Sequence, residues 1–391
     1  MNRPAAILGG TPAFSPPIPF NQPTLPPLSV WLPYLEGIYQ TGVMTKGNLR
    51  DGYESKAASY LGACDAIAVS SCTLGLLLAV KALSLSGEVI VPSFTFPASV
   101  HILLWCGLTP VFCDIHPGRL TLDLDSVRGL ISERTCAVLA VNIFGNPPPL
   151  SPLASLCEEL DIPLIVDAAH GFGSLYCGKP MGPWGTVEVF STSPTKLLVT
   201  GEGGLIATGN PDLAEKIRIL REYGNPGDYD CIAPGLNARL WEGACALGIL
   251  GLERIEDYGA TRNRIACRYK QGLSSLPGIT FQEIEPGARS SYKDFGILVN
   301  QEKFGISRNL LMAALEAEGI PTRPYFSPAV HTQKAYLGSF ETLPLEATRE
   351  VCEKVLCLPM VTHMPVETAD LICETIRKIH RAGPEVRKHL P

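Results

Sequence analysis

The chain is poor in charge, and its cysteines and histidines form no pattern that holds a metal or a disulfide framework. Lys plus Arg number 32 against 38 Asp plus Glu, a formal charge of -6 over 391 residues, so there is no positive field to draw nucleic acid or an anionic membrane nonspecifically. Thirteen cysteines include no CxxC pair and meet no histidine cluster at zinc spacing; Cys352 and Cys357 stand together without a second pair. They read as small buried hydrophobes of a reducing compartment, as in the apolar runs around Cys106, Cys113 and Cys245. Residues 4–35, 89–113 and 135–157 lack Asp, Glu, Lys and Arg altogether. Proline, asparagine or histidine interrupts each of them, which in lipid would leave backbone groups unsatisfied. The opening MNRPAAILGGTPAFSPP has no continuous apolar run of signal-peptide length. A composition of 46% hydrophobic residues excludes dominant disorder. The expectation is a globular cytoplasmic protein with no metal, no membrane segment and no nucleic-acid partner.

What is present is an alternation. After an N-terminal arm at 1–28, rich in Pro and Gly and unable to support a regular element, short apolar runs alternate with longer amphipathic ones. The runs at 66–69, 89–91, 110–113, 137–141, 164–166, 187–190 and 204–207 read as strands, with helices at 74–85, 151–160 and 211–222 among them. All but one are apolar throughout, the exception carrying Glu188, so they are buried on both faces, and helical crossovers are the usual connection for parallel pairing. The fold class is α/β, with a large domain over 29–250. From 251 to 391 the pattern changes to a long charged helix at 253–275, strands at 279–284 and 295–299, and helices at 307–318 and 369–381. Such grouping marks a smaller α+β C-terminal domain.

Ligands of open α/β sheets bind beyond the carboxyl ends of the strands, and four strand ends carry chemistry. The first opens through Ser70-Ser71-Cys72-Thr73 onto a buried helix, where hydroxyls and free N–H groups suit a phosphate; a plain helix N-cap is the alternative. The run at 164–166 ends in Asp167, followed by Ala168-Ala169-His170-Gly171. A carboxylate there is costly unless paired with a cation or a strong donor, and a helix cap is again the alternative. The run at 187–190 leads into Ser191-Thr192-Ser193-Pro194-Thr195-Lys196 and the glycine-rich Gly201-Glu202-Gly203-Gly204. Burial lowers a lysine's pKa, and a partly neutral amine forms Schiff bases. Pro92-Ser93-Phe94-Thr95-Phe96 supplies an aromatic plate for a flat cofactor, or ordinary core packing. Together these are the parts of a pyridoxal 5'-phosphate site: the lysine holds the aldehyde as an imine, the Asp keeps the pyridine nitrogen protonated, and the helix start holds the phosphate.

Over nearly its whole length the chain resembles the DegT/DnrJ/EryC1/StrS family of sugar aminotransferases, which have the fold type I architecture of aspartate aminotransferase, a mostly parallel mixed sheet with a small C-terminal domain. The resemblance is carried by Gly42-Val43-Met44-Thr45-Lys46-Gly47, Ser71-Cys72-Thr73, Pro92-Ser93-Phe94-Thr95-Phe96, Val166-Asp167-Ala168-Ala169-His170, Thr195-Lys196, Gly201-Glu202-Gly203-Gly204, Gly235-Leu236-Asn237-Ala238-Arg239 and Leu358-Pro359-Met360. It implies that Lys196 binds the cofactor and moves protons, that Asp167 pairs with the pyridine nitrogen, that His170 lies against the ring or its phenolic oxygen, and that Phe96 stacks on the ring. It implies that Cys72, Thr73 and Ser191 hold the phosphate, and that Asn237 reaches the neighbouring subunit's cofactor in a homodimer with shared active sites. Cys72 stands where the family commonly has Gly or Ala, Val166 where Glu often precedes the Asp, and Thr192 where an aromatic is common. Tyr292 occupies the region where a residue near the sugar is placed, and Arg239 and Lys46 are candidates for a substrate diphosphate.

The implied function is transfer of an amino group from an amino acid, glutamate by expectation, to a keto-sugar nucleotide, as in polysaccharide biosynthesis. Two alternatives stand beside it: a keto-cyclitol acceptor, or a regulatory protein that binds the cofactor without turnover. The dehydratase branch of the family has histidine in place of the lysine, so Lys196 argues against dehydration.

Overall fold

The computed structural model describes residues 4–182, 184–340 and 343–389. All seven strands expected in the first part of the chain pair into one sheet: β1 (Asp65–Val69), β2 (Glu88–Pro92), β3 (Thr109–Cys113), β4 (Thr135–Val141), β5 (Leu164–Asp167), β6 (Val187–Ser191) and β7 (Gly204–Thr208), in the order β1-β7-β6-β5-β4-β2-β3. Neighbours among β6, β5, β4, β2 and β3 pair in parallel, while β7 lies antiparallel to both β6 and β1. The reversal matters for the site. Because β7 runs backwards, its first residue, Gly204, pairs with Val69 and Ser191, the last residues of β1 and β6.

Alternate residues of each strand feed two cores. Ile67, Val89, Leu139, Ile165, Val189 and Ile206 enter one, and Ala68, Ile90, Val138, Val166, Phe190 and Leu205 the other. With both faces covered, a strand needs no polar alternation. Glu188 in β6 is fully buried, and its carboxylate accepts the N–H groups of Trp184 (2.8 Å) and Gly185 (3.2 Å). Burial pushes its pKa up to about 7.

The helices that position the site are α1 (Leu28–Thr41), α2 (Asn48–Leu61), α3 (Cys72–Ala82) and α4 (Ala98–Trp105). α3 begins at an N-cap, the Ser71 hydroxyl accepting the Leu74 N–H at 3.2 Å. The long charged helix expected at 253–275 is α6 (Ile255–Leu273), which follows directly on α5 (Glu242–Leu252). Glu242, at the start of α5, caps the start of α2 by accepting the Gly47 and Leu49 N–H groups at 3.0 and 2.9 Å.

In the C-terminal part, β8 (Ile279–Phe281), β9 (Phe295–Val299) and β10 (Val355–Leu358) form an antiparallel sheet. It packs with α6, α7 (Arg308–Ala317) and α8 (Val366–Arg381) around a third core that includes Tyr269, Phe295, Leu311 and Ile376. The strand expected over 279–284 is shorter because Glu283 leaves the sheet to bond Gly118. All thirteen cysteines are free. Cys64, Cys177, Cys231 and Cys267 are exposed rather than buried as expected, since they lie in loops or on the outer face of a helix.

Candidate active site

The four strand ends singled out in the sequence emerge at one edge of the sheet, because β1, β2, β5 and β6 all point the same way. At the end of β5, Asp167 is 4% exposed. Its Oδ2 accepts the Ser99 hydroxyl at 2.6 Å and its Oδ1 the Ala169 N–H at 3.1 Å. Ser99, on α4, also bonds Thr95 at 2.9 Å, so the hydroxyl chain is anchored in the aromatic loop. No helix follows Asp167, which removes the capping alternative. Burial pushes its carboxyl above the usual carboxylate range, against the pull of Ser99, Ala169 and the Lys196 ammonium.

His170 turns back under the same edge. Its Nδ1 accepts the Phe144 N–H at 3.1 Å, which leaves Nε2 as the N–H donor. Burial, then the cations Lys196, Lys293 and Arg262, hold its pKa well below the ordinary value, so the ring is neutral at pH 7. Phe326 stacks on it with centroids 6.4 Å apart.

Lys196 sits on the turn after β6, its N–H bonded to Ser193 O at 3.0 Å. Burial, then the Lys293 ammonium, lower its amine to about 8; Asp294, Cys72 and Asp167 oppose the shift. Lys293 is itself buried, and its ammonium meets both oxygens of buried Asp294 at 2.9 Å. An amine desolvated in this way is deprotonated often enough at neutral pH to act as a nucleophile.

The start of α3 forms the third part. Cys72 and Thr73 open the helix, Ser191 lies 7% exposed at the neighbouring strand end, and Gly204 passes between them. The Cys72 thiol faces Val189 O at 3.8 Å, and burial raises its pKa well above the ordinary value, so it packs as a neutral group. A Cβ at Gly204 would stand 2.8 Å from Cys72 N and 2.9 Å from Cys72 Cα and Phe190 O, all backbone atoms. Gly204→Ala is therefore expected to displace the start of α3 at a cost of about 1–3 kcal/mol. Equilibrium titration with pyridoxal phosphate, and with inorganic phosphate as competitor, would register the loss as weaker binding of both.

A sequence profile of the DegT/DnrJ/EryC1/StrS aminotransferase family matches residues 31–377. The chain belongs to that family. It is 33% identical to the dTDP-4-amino-4,6-dideoxy-D-glucose transaminase of Shigella dysenteriae, across 93% of this chain and 99% of that one. The transaminase of the same name from Escherichia coli is 32% identical, over 90% and 95% of the two chains. The crystal structure of DesI with its TDP-sugar product superposes with a TM-score of 0.92 at 32% identity, covering 98% of both chains. The fold is that of the sugar aminotransferases, and this member of the DegT/DnrJ/EryC1/StrS family is an aminotransferase.

The remaining expected residues lie at the rim. Phe96 is 60% exposed, with one edge against Phe326 at 6.3 Å. Asn237 is exposed and bridges to Glu222 through its backbone. Arg239 and Lys46 both converge on the Glu222 carboxylate, at 2.9 and 3.5 Å. Tyr292, in the region expected near a sugar, is 9% exposed; it packs against Phe295, and Lys270 donates to its hydroxyl at 3.1 Å.

Sequence reasoning missed Ser99, Phe326, Arg262 and the Lys293–Asp294 pair. Two adjacent opposite charges at the head of an apolar strand were the one available signal. Clefts of about 620 Å³ beside Arg308 and Arg349 and about 540 Å³ beside Lys46 and Glu242 are lined by none of Lys196, Asp167 and His170.

Proposed function

We propose that this aminotransferase uses pyridoxal 5'-phosphate bound to Lys196 to move an amino group from glutamate to a keto sugar linked to a nucleoside diphosphate. The observation that carries the reading is one buried amine, Lys196, just beyond the end of β6, and one buried carboxylate, Asp167, at the end of its parallel neighbour β5.

The residues present fit the cofactor. Asp167, buried with a hydroxyl and one amide as its only donors among the described residues, has the charge to match a protonated ring nitrogen. His170 offers a neutral Nε2–H, and the start of α3 offers backbone N–H groups to a phosphate. When bound, the cofactor supplies an electron sink. Lys196 Nζ would accept the proton from the donor's Cα and hold it for return in the same half-reaction, and would carry a proton in the opposite sense in the second. Ser99 and Ala169 would fix the orientation of Asp167 toward the ring nitrogen.

The acceptor class rests on the relatives, whose names specify dTDP-linked 4-amino-4,6-dideoxy sugars. A dTDP-linked 4-keto-6-deoxy hexose is accordingly the acceptor to test first. A homodimer belongs to this reading: Trp105, Tyr223, Tyr229 and Ile232 are 71, 51, 92 and 67% exposed, apolar surface that a second copy would cover. We place the protein in the cytoplasm, where nucleotide sugars are made.

Mixing purified protein and cofactor with glutamate tests this directly. Conversion of the bound cofactor's absorption band to that of its amine form, reversed on adding a dTDP-linked keto sugar, is the expected result. An unchanged band would mean a binder without turnover, and reversal by a keto-cyclitol alone would move the acceptor to that class.

A further inference from the structure

Residues 4–27 lie outside the segment that the family profile matches, yet they are tied firmly to the body of the protein. The tie is Glu318, a fully buried carboxylate at the end of α7. Its Oε1 accepts the Ala6 N–H at 2.9 Å and meets the Lys378 ammonium at 2.6 Å; its Oε2 accepts the Ala13 N–H at 2.9 Å. Backbone bonds from Phe14 to Glu318 and from Ile18 to Gly319, at 3.0 and 3.1 Å, extend the seam. A Cβ at Gly319 would stand 2.2 Å from Phe14 O, so the arm approaches where only glycine fits. A buried charge with these partners is strongly committed to them.

Beyond the seam the arm delivers Phe20, 8% exposed, to the segment that backs the active site. Phe20 lies under the Arg323 guanidinium at 5.4 Å and edge-on to Tyr325 at 6.0 Å. Tyr325 has two further neighbours. The Lys293 ammonium sits over its ring at 5.6 Å, and Phe326 stacks beside it at 5.4 Å. Phe326 in turn touches His170, Phe96 and Phe144. One ring therefore separates the arm from the cation beside Lys196, and two separate it from His170.

We propose that the arm is a positioning strap for the catalytic pocket, latched by Glu318 and acting through Phe20, which holds Tyr325 and thereby the placement of Lys293 and Phe326. The inference rests on the reading of Lys196 and His170 given above. Phe20 touches neither the cofactor site nor any substrate; it is a positioning residue. The charged groups bearing on Lys196 are Lys293, Asp294, Cys72 and Asp167, and of these only the Lys293–Asp294 pair is within reach of the strap.

The test uses the full-length chain with Phe20→Ala, Phe20→Tyr and Glu318→Gln. In cofactor-free protein, the pH midpoint at which Lys196 becomes reactive is read by acetic anhydride labelling and mass spectrometry. Loosening Tyr325 admits water and frees Lys293, so in Phe20→Ala and Glu318→Gln the midpoint is expected to rise from about 8 toward that of an ordinary lysine. The dissociation constant for pyridoxal phosphate is expected to rise about two- to tenfold, the worth of one aromatic contact, with Phe20→Tyr restoring both. A lower melting temperature with an unmoved midpoint and unmoved affinity would reduce the arm to a stabilising wrap and overturn the proposal. Should Phe20→Ala fail to fold, Phe20→Leu carries the same two readouts and decides in its place. Wild-type protein whose Lys196 labels like an exposed lysine would instead overturn the reading of the site itself.

Discussion

Lys196→Ala is expected to lower transamination by about 10²–10⁴-fold through loss of the proton-transferring group alone, and further through loss of covalent attachment of the cofactor. Stopped-flow absorbance in the presence of glutamate would resolve the half-reaction from binding. The wild-type pH profile carries the same information. An ordinary lysine is almost wholly protonated at pH 7.5, whereas Lys196, lowered to about 8 by burial and by Lys293, is deprotonated in a sizeable fraction of molecules. The rate at which cofactor-free protein attaches the aldehyde should climb as pH passes 8 and level off above it. Lys293→Met, which removes the neighbouring cation and leaves Asp294 unopposed, should move that midpoint upward. Asp294→Asn should move it downward. Opposite signs from two adjacent substitutions would be hard to produce by general loosening of the fold.

The second large effect is expected from Asp167→Asn. The amide preserves the size of the side chain and can still accept from Ser99 or Ala169, but it carries no charge. A unit charge pair at about 4 Å in an effective dielectric of 20 is worth about 4 kcal/mol, so turnover should fall about 10³-fold. Cofactor binding should suffer less, because the phosphate cradle at α3 is untouched. Stability runs the other way. Burial raises the Asp167 pKa in the folded chain above its unfolded value. Its contribution to stability is therefore fully present at acid pH and is lost as pH rises through the folded pKa. At neutral pH the cofactor-free Asp167→Asn protein should melt higher than the parent, and differential scanning calorimetry with and without pyridoxal phosphate would register the trade of stability for function. Equal melting temperatures across pH 4 to 8 in both proteins would show that the carboxylate is not desolvated.

The strands were legible because all but the one carrying Glu188 are apolar along the expected runs, a pattern that suits a sheet covered on both faces. Reading the strand ends then brought Cys72, Thr73, Phe96, Asp167, His170, Ser191 and Lys196 forward as candidates, since polar residues directly after such strands have few other reasons to be there. Ser99 and Phe326 escaped for the opposite reason. A serine in the first turn of an apolar helix, and a phenylalanine between tyrosine and serine, look the same whether they face a carboxylate, a histidine or solvent. The pairing of Lys46 with Glu222 joins segments far apart in the chain, and charges at that separation carry no mark of their partner.

Local chemistry, then, determined the alternating α/β pattern, the strand ends and the residue types competent for amine, carboxylate and phosphate chemistry, because periodicity and turn residues act within a few positions of one another. Which strand runs backwards to bring Gly204 against Cys72, which cation lowers Lys196, and where the arm fastens were decided only by the tertiary structure. Those outcomes depend on desolvation and on contacts between residues hundreds of positions apart, as in the seam between Ala6 and Glu318, and burial is a property of the whole fold before it is a property of any residue.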